Sequence, residues 1–98
     1  MPLTSPWMEM NLPTEGGVVE ASDDLFLVVN FPATPVEAMP GLGIAFRDTL
    51  VAHGWSVAAV NQDDANGLAV MMRTNAGGEA TLDVLLHRGR PRVQISAL

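Results

Sequence analysis

The stretch Phe46-Arg47-Asp48-Thr49-Leu50-Val51-Ala52-His53-Gly54-Trp55-Ser56-Val57 decides the fold. Phe46, Leu50 and His53 recur at helical spacing, and Leu42 or Gly43 extends the same stripe towards the N-terminus. Arg47 and Asp48 fall on the solvent side of that helix. His53 sits in its last turn, where a protonated imidazole favours the negative end of the helix dipole. Gly54 supplies the positive φ that stops a helix. Trp55 then opens a strand and packs under the helix end. A helix therefore gives way to a sheet within two residues.

Upstream, Thr34-Pro35-Val36-Glu37 fits a capping box, with Thr34 as N-cap, Pro35 at the first helical position and Glu37 at the third. Pro40 interrupts the period, because an interior proline removes a donor and costs about 3 kcal/mol. The expectation is one turn over 35–39 and a main helix from about Pro40 or Gly41 to His53. Before it, Val18 to Ala21 and Leu25 to Phe31 read as two strands joined by the turn chemistry of Ser22-Asp23-Asp24. The second strand is apolar on both sides, with Leu25, Leu27, Val29 and Phe31 on one and Phe26 and Val28 on the other. Such a strand lies inside a sheet covered on both faces, or turns one face to a partner.

Downstream, four strands are expected. They are Trp55 to Val60, Leu68 to Thr74, Glu79 to His87 and Arg92 to Leu98. Their turns are Asn61 to Gly67, Asn75 to Gly78 and Arg88 to Pro91. Ala80, Leu82, Val84 and Leu86 alternate with Thr81, Asp83, Leu85 and His87, the pattern of a half-buried strand. Short turns make antiparallel neighbours. The reading is an α+β fold of order β-β-α-β-β-β-β, one curved antiparallel sheet with a single, N-terminally broken helix on one face.

Residues 16–98 form this single domain. Residues 1–15 carry three prolines and no period, yet hold Trp7, Met8, Met10 and Leu12. They are expected to run extended and to dock on the domain or on a partner. The chain has 98 residues, 48% of them apolar, enough for one core and more than one helix on one sheet face needs. Its net charge of −6 weighs against nucleic acid as a partner. The charge is uneven: residues 1–64 hold nine acids and one arginine, whereas residues 65–98 hold two acids and four arginines. The absence of cysteine excludes disulfides, a thiol nucleophile, a thiolate zinc site and a lipid-bearing cysteine in this chain. No apolar run is long enough for a membrane span. The N-terminus lacks the basic and apolar regions of a signal peptide. A cytoplasmic location follows if the chain is full length, and export if a leader has been removed.

Phe46, Leu50, Gly54 and Trp55 together resemble a junction found in small bacterial α+β domains, in which Phe-(Tyr/Arg)-x-x-Leu on a helix leads through Gly-Trp into a meander of strands. The resemblance covers residues 16–98 in layout. It implies the fold. Many such domains belong to secreted proteins or lipoproteins, and most have no assigned activity. Where those domains usually carry Phe-Tyr, this chain carries Phe46-Arg47.

The residues that bear chemistry are scattered. His53 and His87 have no nucleophile pattern beside them, and Ser5, Ser22, Ser56 and Ser96 lack a Gly-x-Ser-x-Gly context. The carboxylate pairs Asp23-Asp24 and Asp63-Asp64 fall in turns without a calcium-loop pattern. Pro40-Gly41-Leu42-Gly43 and Asn75-Ala76-Gly77-Gly78 are not phosphate loops, since no lysine follows and no βαβ unit surrounds them. Hence no catalytic residue, no metal and no cofactor is expected. His87-Arg88-Gly89-Arg90-Pro91-Arg92 sets three arginines in five residues, suited to a carboxylate, a phosphate or an acidic partner.

The function expected is a non-catalytic protein–protein interaction domain that associates with itself, with a homodimer or another protein as its partner. Trp7, Met8, Met10, Phe26, Val28, Arg88, Arg90 and Arg92 are its candidate partner-binding residues. One alternative is a small acidic inhibitor or immunity-type protein docking on a basic target through its acidic half. Another is a small-ligand-binding or metal-assisted enzyme with its pocket between helix and sheet, using His53 or His87 beside a carboxylate such as Asp83.

Overall fold

The computed structural model describes residues 3–63 and 67–97. Six strands form one sheet: β1 (Val18–Ser22), β2 (Phe26–Asn30), β3 (Ser56–Asp63), β4 (Gly67–Arg73), β5 (Glu79–His87) and β6 (Arg90–Ala97). Every pairing is antiparallel, and the spatial order is β1-β2-β6-β5-β4-β3. The single helix, α1 (Met39–Ala52), packs chiefly over β5 and also touches β4. The chain is thus an α+β fold in the order β-β-α-β-β-β-β. Insertion of β6 between β2 and β5 sets the C-terminal arginines beside the acidic N-terminal hairpin.

Local chemistry accounts for the turns. The Asp23 carboxylate accepts the Leu25 N–H at 2.8 Å while the Asp23 N–H reaches the Phe26 carbonyl, an Asx turn that reverses β1 into β2. Thr74 closes the β4–β5 turn through its backbone N–H to the Gly78 carbonyl and through its hydroxyl, which accepts the Gly78 N–H. The last hairpin is tighter than Arg88 to Pro91. Only Arg88 and Gly89 lie outside the ladder, with φ 54° and 76°, because a type I′ turn matches the twist of the strands it joins.

The helix follows a stripe of Met39, Gly43, Phe46 and Leu50, all buried against the sheet. Phe46 and Leu50 are fully buried, each stabilising by about 1.5–3 kcal/mol. His53 leaves this stripe. It is exposed at the C-cap, its Nδ1 lying 2.9 Å from the Thr49 carbonyl, because the helix ends before a further turn can carry it under. Gly54 follows with φ 97°, as a helix stop requires. The capping box does not form: a 3₁₀ turn over Val36–Ala38 precedes α1, and neither N-cap has a side-chain hydrogen bond. Pro40 lies in the first turn of α1, where its missing N–H would lack a helical partner anyway.

The N-terminal segment docks, but through a 3₁₀ turn over Trp7–Glu9 rather than in extended form. That turn puts Trp7 and Met10 three residues apart on one side, and both enter the core with Leu12. Trp7 meets Trp55 edge to face at 6.0 Å, and Phe31 meets Phe46 likewise at 6.2 Å. The Trp7 indole N–H donates to the Asp23 carbonyl. The apolar surplus of the sequence is therefore partly absorbed by this segment inside the chain's own core.

Gly17 joins the segment to β1 where it crosses β2. A Cβ there would lie 2.6 Å from Val29 Cγ1 and 2.9 Å from Phe31 Cε1, both core side chains. Gly17→Ala is expected to cost about 1–3 kcal/mol, the usual effect of overpacking. Urea denaturation checks this, and an unchanged midpoint would mean that the segment does not lie so close.

The turn expected over Asn61 to Gly67 is shorter. β3 continues through Asp63 and β4 begins at Gly67, while residues 64–66 lie outside the described residues, and with them one member of the Asp63-Asp64 pair. The ladder is made by the backbone, so polar residues that resemble a turn in sequence can still pair.

Candidate interaction site

Of the N-terminal candidates, Trp7 and Met10 are buried in the chain's own core, and Met8 is presented to solvent at 59% exposure. Residues opposite one another in an antiparallel ladder share a face. Phe26, Ser96, Thr81 and Met71 form one row across the uncovered face, and Val28, Gln94, Asp83 and Ala69 form the next. Val28 is nevertheless buried by its neighbours, and Phe26 is half-buried.

The uncovered face is not the broad apolar patch that a two-faced β2 suggests, because its centre is polar. Arg92 Nη2 donates to both Glu20 carboxylate oxygens, at 2.9 and 3.0 Å, and Arg92 Nε donates to Asn30 Oδ1 at 2.7 Å. The pair joins residues 72 apart in sequence, so one acid of the N-terminal half and one arginine of the C-terminal half are tied together.

Asp83 lies on this face. Burial pushes its carboxyl above the usual aspartate range, and the Thr81 hydroxyl partly offsets the rise. A raised pKa means that the folded chain binds the proton more tightly than the unfolded one, so ionisation opposes folding. Asp83→Asn is expected to match the parent below the unfolded pKa and to become the more stable as pH rises through the raised value. Thermal melts from below pH 3.8, the ordinary aspartate value, up to neutral pH check this; equal melting temperatures throughout would remove the burial cost.

The pocket that an enzyme reading needs between helix and sheet is filled by Phe46, Leu50, Trp55 and Leu82. Asp83 is on the opposite face. His53 lies at the end of α1 and His87 at the end of β5, so neither stands beside it. Among the described residues no group of three or more His, Asp or Glu is placed to hold a metal ion, and no helix is long and apolar enough to cross a membrane.

Two surfaces remain. One is the end of the β5–β6 hairpin, where Arg88, Arg90 and His87 meet Asn30, Val18 and Pro32 around an open groove of about 350 Å³. Arg92 stands behind them, tied to Glu20. The other is β3, which the sequence reading did not single out. Among the described residues it is an edge strand, paired only with β4. Ser56 to Val60 carry no charge and no proline, and all five are exposed, Val57 at 40% and Val60 at 53%. The β3–β4 register shifts between Val57 and Ala59. Val57 then opposes Met72 and Val60 opposes Val70, both buried under α1, so both valines point to the helix side. The uncharged run Ser56-Val57-Ala58-Ala59-Val60 was legible as a strand, but its place at the edge required the pairing order. No family model matches the chain, and neither a curated protein nor a solved structure does.

Proposed function

We propose that this chain is a non-catalytic protein–protein interaction domain that associates with a second copy of itself through β3. The observation that carries the reading is the uncharged edge. Natural sheets blunt an exposed edge strand with lysine, proline, inward charge or a bulge. Ser56 to Val60 has no charge and no proline, and its one irregularity, between Val57 and Ala59, sets both valines on the same face. A two-fold axis between Ala58 and Ala59 sets Val57 of one copy opposite Val60 of the other. Four valines then line one side of the junction while the small alanines let the backbones approach. The run is neutral, so the net charge of −6 is not concentrated where the copies meet. An isologous contact of this kind closes on itself and stops at two copies.

Sedimentation velocity over a range of protein concentrations tests the proposal. A monomer–dimer equilibrium is expected, with no larger species. A single monomeric boundary at every concentration would overturn it.

A further inference from the structure

We propose that the groove at the β5–β6 hairpin end binds an acidic peptide segment, whose carboxylates are gripped by Arg88 and Arg90. Both arginines are exposed, and the salt bridges among the described residues engage Arg47 and Arg92 instead. Their neighbour Arg92 is already neutralised by Glu20, and Asn30 is committed to Arg92 and Glu20. Arg88 and Arg90 are thus two planar cations at the mouth of a groove that no carboxylate lines. Guanidinium groups match carboxylates in fork geometry and hold them more strongly than neutral donors do.

The backbone adds a second, independent observation. Arg88 sits at φ 54° in the first position of a type I′ turn. Asparagine or glycine occupies that position with least strain, and a long side chain there costs conformational energy. A residue held against its backbone preference is an outlier of the kind that clusters at binding sites.

The surroundings indicate the class of ligand. Val18 and Pro32, both exposed, give an apolar wall beside the cations. Val18 also begins the edge strand β1, so an extended chain leaves the groove along an open strand edge. The net charge of −6 repels a long polyanion, whereas a short acidic segment meets the local positive end. The site lies across the sheet from β3, so self-association leaves it open.

The test is an NMR titration of the isotopically labelled full chain with an acetylated peptide of alternating glutamate and leucine. Its glutamine–leucine counterpart and acetate alone serve as separate probes. Saturable shifts at Val18 and His87 to Arg92 are expected, weakened by salt. The glutamine peptide should bind at least about tenfold more weakly, because charge-assisted bonds are lost. R88N combined with R90Q should lose binding to a similar extent. Single R88N should melt no lower than the parent, since asparagine suits the turn, and should still weaken binding. Equal binding of the glutamine peptide, unchanged binding by the double variant, shifts elsewhere in the sheet or no shift at all would each overturn the proposal. Acetate binding as tightly as the peptide would overturn the peptide assignment.

Discussion

Trp7→Ala will lower the stability of the fold by about 3–5 kcal/mol, the range for deleting a fully buried aromatic side chain. Trp7 is completely buried, packs edge to face on Trp55 and donates its indole N–H to the Asp23 carbonyl. The substitution removes all three contributions and opens the core between the N-terminal segment, Trp55 and the β1–β2 turn. A domain of this size has a total stability of roughly 5–15 kcal/mol, so such a loss leaves it marginal. Met8→Ala, one residue away but exposed, is expected to stay within about 0.5 kcal/mol of the parent. Chemical denaturation of the two variants reads the contrast. Trp7→Phe refines it, keeping most of the packing while deleting the hydrogen bond. If Trp7→Ala and Met8→Ala unfold alike, residues 3–12 are not part of the core.

Val60→Lys will weaken self-association at least tenfold, about 1.4 kcal/mol, while leaving the monomer's stability within about 0.5 kcal/mol of the parent. Val60 is more than half exposed, so a lysine fits the isolated chain. In the two-fold arrangement it falls opposite Val57 of the second copy, twice per dimer, and an edge lysine opposes strand pairing. The substitution also reduces the chain's negative charge, so general repulsion between copies falls. A loss of association is therefore attributable to the strand edge. Sedimentation equilibrium of Val60→Lys and of a distant control such as Val36→Lys gives the comparison. Equal weakening by both would point away from β3.

The parts of the fold legible in the sequence are those set by short-range chemistry. Asp23 makes its turn with its own neighbours, Gly54 stops the helix by its φ, and the alternation from Ala80 to Val84 marks one buried face, although Leu86, next in the same row, is exposed because the strand there runs past the helix into the hairpin end. The rest depends on partners distant in the chain. Nothing near Trp7 indicates that its ring will meet Trp55, so its aromatic character suits an anchor for a partner as well as a core residue. His53 continues the apolar stripe in spacing, yet the helix ends too soon to bury it. Arg88, Arg90 and Arg92 look equivalent in sequence. The pairing of β6 with β2 gives Arg92 to Glu20 and leaves the other two at the groove. The edge position of β3 follows from strand order alone.

Amide hydrogen exchange of β3 as a function of protein concentration tests the central claim most directly. The edge of β3 turned away from β4 has no ladder partner among the described residues of one chain, so its outward amides exchange readily in the monomer. The proposal predicts that protection at Ser56 to Val60 rises as concentration increases and that Val60→Lys abolishes the rise, with β5 and β6 unchanged. Protection in β3 that is independent of concentration, while the chain still sediments as a dimer, would contradict edge pairing.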